Sequence, residues 1–489
     1  MASRPPILAK AFSPAALLLL LPLAATAAVP ARLVTFNDDG AWNWFQDERV
    51  VASGGKLFLA SVAAGTRDPA RAGAVEITSY DLTGAVTARF TLHQPATGPE
   101  RKLWLNDHDC PSLLLRSDGR LLAMYSLHGV EPKLYYRIST VAADIREWSE
   151  ERIFVPGRAA RITFPNLLAV PAEPGAAGRL YAFFRGLDAG LMPSWAFSDD
   201  AGATWSAGGT WLRSSGQAGS QPAVPYVKYA SAGNGAIHMA FSGGHHLDYG
   251  NAVYHVVCRA GRLFTSDGAR IAGLRDGVNG FAPASLVFRA NAASVAWLHD
   301  LHVDAAGRPY LAFSVQRDSA ALAPAVRGED HRYHYARWTG SGWVEHEIAY
   351  GGSRIHTFLD GDDCTGLVAL DPQDPASLYI STNADPRSGT PLVSRSDGRR
   401  HWEIFHGVSR DGGASWRWTP LTSDSTVDNI RPLVPVWAGP RGVVVWLRGT
   451  MRHYIDYDLR VVGAFFDRAA PPAAEINRKL GSLRSNDSY

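Results

Sequence analysis

Cysteine is scarce in this chain: Cys110, Cys258 and Cys364 are the three among 489 residues, and an odd number cannot all pair. A disulfide framework is excluded, and stability has to come from a large buried core. Charge is sparse as well, at 19% of residues, with 48 basic against 46 acidic side chains leaving +2. Such a balance lacks the basic stripe of a nucleic-acid binder, so an anionic ligand must be met by a local cluster. Beyond the N-terminus no apolar run approaches the roughly 18 residues needed to span a bilayer. What the chain does hold is 47 Gly, 30 Pro, 15 Trp and 46% hydrophobic residues. That mixture excludes a disordered polymer and leans towards turn-rich β structure.

The first residues read as an export signal. Arg4 and Lys10 precede an apolar run from Ala15 to Leu23, and the small residues Ala24-Ala25-Thr26-Ala27-Ala28 follow. A basic start, a short apolar middle and an Ala-x-Ala end predict a leader over residues 1–27, cleaved near Ala27, and a secreted or periplasmic protein. The C-terminal stretch 469–489 carries Pro471, Pro472 and many polar residues, and is expected to be a flexible tail.

Between these ends one pattern recurs seven times: an apolar segment, a Gly- or Pro-containing turn, then a second apolar segment that ends in polar residues. Leu57, Leu121, Leu180, Ile237, Tyr310, Leu378 and Val444 mark the second segments, at intervals of 64, 59, 57, 73, 68 and 66. Turn signals such as Ser117-Asp118-Gly119 and Gly233-Asn234-Gly235 make each copy a β-hairpin. Seven such units predict an all-β fold, a seven-bladed β-propeller over residues 29–468. Two further segments, Ser198-x-Asp200-x-Gly202-x-Thr204-Trp205 and Ser409-x-Asp411-x-Gly413-x-Ser415-Trp416, match the Asp-box, a turn held by side-chain-to-backbone hydrogen bonds over a packed Trp. They are expected on outer hairpins, with Asp397-Gly398 before Trp402 as a degenerate copy.

If the hairpins are the innermost strands, their open ends surround the axis on one face. First-strand starts then supply Asn106-Asp107-His108-Asp109, Thr163-Phe164-Pro165-Asn166, Tyr226 to Tyr229, Asp362-Asp363-Cys364 and Asn429 to Arg431. Second-strand ends supply His128, Arg185, His245-His246 and Arg448. Imidazoles, a guanidinium and phenols converging from blades two, three and four are what a ligand site needs.

The segments Asp107-His108-Asp109-Cys110-Pro111, Tyr125-Ser126-x-His128, Phe183-Phe184-Arg185-Gly186, Pro225-Tyr226-Val227-Lys228-Tyr229 and Gly243-Gly244-His245 resemble the BNR-repeat propeller family, which includes seven-bladed ulvan lyases. The resemblance runs on through Asn429-x-Arg431-Pro432 and Trp446-Leu447-Arg448-Gly449, nearly the whole mature chain. It implies a polysaccharide lyase that cleaves an anionic, uronate-containing polysaccharide by β-elimination. In that chemistry a cation neutralises the uronate carboxylate, a base takes the C5 proton and an acid protonates the leaving oxygen. Arg185 suits the neutraliser, His108 or His128 the base, and Tyr226 or its rival Tyr229 the acid. His245, Asn166, Arg431 and Arg448 are substrate-binding candidates. The family pattern has a tyrosine near Phe164 and commonly an aromatic hydroxyl at Cys364, so both positions depart from it.

No cofactor is needed for this chemistry. His245, Cys258 and His299, with His302 and His334 nearby, are candidate ligands of a structural zinc or calcium, without a compact ligand motif. The expected partner is the anionic polysaccharide alone, with neither nucleic acid nor membrane, bound by a monomer. The rival functions are a sialidase-type glycoside hydrolase, with Arg185, Arg431 and Arg448 gripping a carboxylate, and a non-catalytic carbohydrate-binding propeller.

Overall fold

In a computed structural model, residue 1 and residues 33–467 are described, apart from 158–160, 172–177, 188–189, 215–223, 246–249, 292–293, 318–327, 356–363 and 438–440. The expected leader beyond Met1, the expected tail, His246, Asp362 and Asp363 lie outside the described residues. Among the described residues no helix is long and apolar enough to cross a membrane.

The marked segments all fall in second strands. Blade one is built from Val50–Ser53, Lys56–Val62, Val75–Asp81 and Ala85–His93, paired in chain order and antiparallel. Blades two, three, five and six repeat this plan, with second strands Leu121–Tyr125, Arg179–Leu187, Pro309–Gln316 and Ser377–Thr382. In blade four the third strand, Val253–Arg259, takes Arg262–Phe264 along one end and Ser285–Phe288 along the other. Blade seven uses Asp428–Leu433, Arg441–His453 and Asp456–Asp467, and its outermost strand is Val34–Asn37 from the start of the chain, in register Val34↔Gly463. The ring of this seven-bladed β-propeller is thus closed by hydrogen bonds between the two chain ends.

Second strands read as nearly continuous apolar runs because each is covered on both faces. Leu57 to Val62 and Val443 to Leu447 are buried without alternation, as expected of a strand sandwiched between neighbouring sheets. The core is accordingly a series of clusters between blades, such as Phe183, Tyr229 and Met239 between blades three and four. A separate cluster sits on the axis: Trp44, Phe45, Phe164, Trp297, Cys364 and Leu367 plug the centre, with Tyr226 packed against them. Trp44 Nε1 donates to the Leu298 carbonyl at 3.1 Å, tying this plug to blade five.

The turns between third and fourth strands at Ser198–Trp205 and Ser409–Trp416 share one hydrogen-bond set. Asp200 Oδ1 accepts from the Thr204 amide at 2.9 Å and Ser198 Oγ from the Gly202 amide at 2.8 Å. Asp411 and Ser409 repeat both bonds with Ser415 and Gly413. Each turn leans on the preceding blade, through Tyr136 OH donating to the Ala203 carbonyl and through Trp416 packed on Tyr335. The segment Asp397-Gly398 differs from expectation. It lies between the second and third strands of blade six, not on an outer hairpin, because the chain there forms its own small ribbon, Ala384↔Pro391 and Val393↔Arg400.

Candidate active site

Position follows from topology. Each inner strand starts on the face where the second strand ends, so Thr163 pairs with Arg185 and Tyr226 with Ser242 at the rim of the axial opening. A β-bulge between Thr163 and Asn166 breaks the blade-three register, and Phe164 there has φ 56°. Left-handed backbone costs a non-glycine residue about 1 kcal/mol, and a bulge re-aims the side chain it carries. Phe164 is thereby turned into the centre of the plug. Asn166 holds it there: its Nδ2 donates to the carbonyls of Phe164 and Phe45 at 2.9 and 2.8 Å, and its Oδ1 accepts from the Asp47 amide at 2.9 Å. Asn166 is buried with both ends of its amide occupied, which corrects its assignment to substrate binding.

Around Phe164 the candidates from three blades meet. Ring centroids of His108 and His128 lie 4.3 Å apart, and they are 5.4 and 5.2 Å from Phe164. The Arg185 guanidinium stands 3.8 Å over the Tyr226 ring and 5.5 Å from Phe164. His245 packs 5.6 Å from Tyr226 on the far side, edge-on to Trp297. All five groups are therefore within reach of one or two sugar rings. Phe164 supplies no hydroxyl among them.

The two histidines are held differently. His108 Nδ1 faces Asp107 Oδ1 at 2.6 Å and Asn106 Oδ1 at 2.8 Å, and its Nε2 accepts from Asn43 Nδ2 at 3.0 Å. Asn43 Oδ1 is itself used by the Phe45 amide, which fixes the amide orientation and hence the Nδ1–H form of His108. His128 bonds Thr163 Oγ1 through Nδ1, and its Nε2 makes no hydrogen bond among the described residues. Burial, reinforced by His108 and Arg185, pushes the His128 imidazole well below its usual range, so it is neutral at pH 7. The blade-seven turn carries Tyr454 edge-on to His108 at 5.0 Å.

Beneath them two carboxyl groups, Asp107 and Asp109, are fully buried. Burial alone would raise the Asp107 carboxyl, but the Arg431 guanidinium and His108 hold it below the usual range. Asp109 goes the other way: burial, opposed by the bond from the His128 amide and reinforced by Asp107, raises it well above that range. Burial thus favours the uncharged form of Asp109, whereas Asp107 is an anion at pH 7.

Three expectations need correction. Arg431 is 2% exposed and bonded to Asp107 and the Trp42 carbonyl, so it is a buried counter-ion rather than a substrate ligand. Tyr229 stacks on Phe183 at 4.5 Å and receives Trp211 Nε1 inside the core between blades three and four, which removes it as rival to Tyr226. Arg448, a further substrate-binding candidate, occupies the blade-seven rim, opposite Asn429 and bonded to its Oδ1 at 2.6 Å. His245, Cys258 and His299 are not gathered: Cys258 is buried in a strand of blade four, and among the described residues no three His, Cys, Asp or Glu form a metal-holding group. Missed altogether were Asn43, Trp44, Phe45, Trp297 and Tyr454; the aromatic-rich run Trp42-Asn43-Trp44-Phe45 ahead of blade one was the available signal for the first three.

Comparison with known proteins agrees with this architecture. An ulvan lyase structure from a new polysaccharide lyase family, PL25, bound to -[GlcA(1-4)Rha3S]-, superposes with a TM-score of 0.64 at 15% identity, covering 88% of this chain and 95% of that one. The polysaccharide lyase Uly1 gives 0.55 at 12% identity, covering 86% and 90%. At these identities the likeness is one of fold. No curated protein sequence matches the chain. The model of the BNR repeat-containing family, however, matches residues 69–350, more than half of the 489. Seven repeated sheets and that match together place the chain in the BNR repeat-containing family.

Proposed function

We propose that this protein is an exported polysaccharide lyase that cleaves a uronate-containing, ulvan-like anionic polysaccharide by β-elimination. The observation that carries the reading is the cluster around Phe164: a neutral imidazole, a guanidinium and a phenol converge on one opening, while the carboxylates of Asp107 and Asp109 are buried beneath it. Arg185 has its Nε committed to the Leu191 carbonyl at 3.0 Å, and its two terminal nitrogens make no hydrogen bond among the described residues. That fork can grip the uronate carboxylate and offset charge as the C5 proton leaves.

His128 serves as the base. With Nδ1–H donated to Thr163, its Nε2 lone pair takes the C5 proton. The electron pair left on C5 forms the C4–C5 double bond, the C4–O4 bond breaks, and Tyr226 donates its phenolic proton to O4. His108, fixed through Asp107, Asn106 and Asn43, positions His128 and the sugar, and His245 lines the far side. No metal is needed for these steps. A retaining or inverting hydrolase would need two carboxyl groups facing the sugar, and Asp107 and Asp109, the pair beside these histidines, are both fully buried.

Incubation with ulvan or glucuronan tests the reading. An unsaturated uronate absorbing at about 235 nm is the expected product. New reducing ends without that absorbance would instead establish hydrolysis, and binding without either product a lectin. Export is tested by the N-terminal residue of the protein recovered from its native host, expected close after Ala27.

A further inference from the structure

The opening carries one cation that the elimination chemistry leaves unused. Arg161 stands two residues ahead of Thr163, whose hydroxyl bonds His128 Nδ1. Between them, Ile162 is tied by its backbone to the blade-two turn that follows His128. Its amide donates to the Glu131 carbonyl and its carbonyl accepts from the Gly129 amide, both at 2.9 Å. The Ile162 side chain is buried in the core between blades two and three. Side chains alternate along extended backbone, so Arg161 and Thr163 share the other side, the one on which Thr163 meets His128. The Arg161 carbonyl packs against Gly186, where an added Cβ would lie 2.6 Å from it. Glycine there lets the backbone of Arg161 lie directly beside that of Arg185.

Arg161 is exposed, and its guanidinium makes no hydrogen bond or ion pair among the described residues. Glu131, on the turn it adjoins, is taken by Lys133 at 2.6 Å and by the Tyr135 hydroxyl. Asp107 is buried against Arg431, and burial favours the uncharged form of Asp109. Burial pushes the His128 imidazole down, and the charges of His108, Arg185 and Arg161 add to it, so both guanidiniums act on that ring. Among the described residues neither has a carboxylate partner. This side of the opening thus gathers two uncompensated positive charges in a chain whose net charge is +2. Arg185 answers the uronate carboxylate, and the second guanidinium is free to take a second anion.

We infer that Arg161 forms a second anion-binding subsite, holding a sulfate or carboxylate on the sugar next to the reacting uronate. The inference rests on the lyase reading above for the place of the uronate. It adds that the preferred polymer carries an anionic group on each of two adjacent sugars. A sulfated ulvan meets that demand with a sulfate and a glucuronan with a carboxylate, whereas a polymer alternating uronate with neutral sugar does not.

Calorimetric titration of the full chain with ulvan oligosaccharide, with the same oligosaccharide after chemical desulfation, and with glucuronan oligosaccharide tests it. Arg161→Gln is expected to weaken binding of an oligosaccharide with anions on adjacent sugars about tenfold at low salt, and of the desulfated one less than about twofold. The selective loss should shrink as salt screens the exposed charge, and Arg161→Lys should restore part of it. Circular dichroism checks that both variants fold. A loss confined to sulfated ulvan makes the bound group a sulfate, and one confined to glucuronan a carboxylate. Unchanged affinity for both, equal losses with and without sulfate on ulvan, or no binding by the unaltered protein would each overturn the subsite. The selective loss without any absorbance at about 235 nm would keep the subsite and discard the lyase reading, and that absorbance without the selective loss would do the reverse.

Discussion

Replacing Arg185 by lysine, and separately by alanine, separates charge from geometry at the point where the proposed reaction needs both. The guanidinium lies 3.8 Å over Tyr226 and is anchored through Nε to the Leu191 carbonyl, with the residue 5% exposed. Lysine keeps a unit charge, whose attraction for a carboxylate about 4 Å away is about 4 kcal/mol at an effective dielectric of 20. It loses the second prong of the fork, a charge-assisted bond contributing about 1.5–3 kcal/mol. Arg185→Lys should therefore lower kcat/KM by about 10- to 100-fold. Alanine removes charge and both donors, and losing one fixed donor at a developing anion already costs about 2.7–4 kcal/mol. Arg185→Ala should fall by about 10³-fold or more, read as the initial rate of absorbance gain on ulvan, with the melting temperature within about 3 °C. Lysine and alanine variants equal to each other, or both within about threefold of the unaltered protein, would refute the assigned role. A melt lowered by more than about 10 °C would make Arg185 a blade-three strut instead.

Removal of the proposed base, His128→Ala, should cost at least about 10²-fold in kcat, and the acid limb of the pH–rate profile should lie well below the usual 6.5 because the neutral form persists there. A limb at about 6.5 or above would move the base elsewhere. Asp109→Asn should leave the melt within about 2 °C, since burial favours the uncharged form of that carboxyl and the amide still accepts from the His128 amide, whereas Asp107→Asn strands the buried Arg431 charge and should cost about 3–5 kcal/mol in denaturant titration. Equal effects of the two would contradict the opposite directions in which burial and Arg431 push these carboxyls. His238, buried against His255, has its imidazole pushed down to about 4 by burial and by Arg259. The unfolded chain binds that proton from about pH 6.5 downward and the folded one does not, so stability should fall as pH drops from 6.5 to 4, by up to about 3 kcal/mol from this residue. His238→Gln should flatten that slope; a slope unchanged by the substitution would exonerate the histidine.

The repeat spacing made the propeller legible because a strand covered on both faces must be apolar throughout, and that demand recurs in every second strand from Leu57 to Val444. Hairpin polarity then placed His108, His128, Arg185 and Tyr226 at one rim, since strand starts and strand ends share an edge whatever the loops do. Where a side chain points is a different matter. Tyr226 and Tyr229 differ by three positions, so one faces the axis and the other the neighbouring blade, and only the strand's actual tilt and register decide which. Phe164 reaches the centre through a bulge and a left-handed backbone that Asn166 stabilises from two residues away, and Arg431 is turned inward to Asp107 by a second register break. Neither break has a signature in residue order. Contacts across the ring, such as Arg431 to Asp107 or Trp44 to Leu298, join positions more than 250 residues apart. Composition and periodicity are local quantities, and they determined the wheel and its rim; the plug, the buried charges and the division of labour between two histidines arose only when the ring closed.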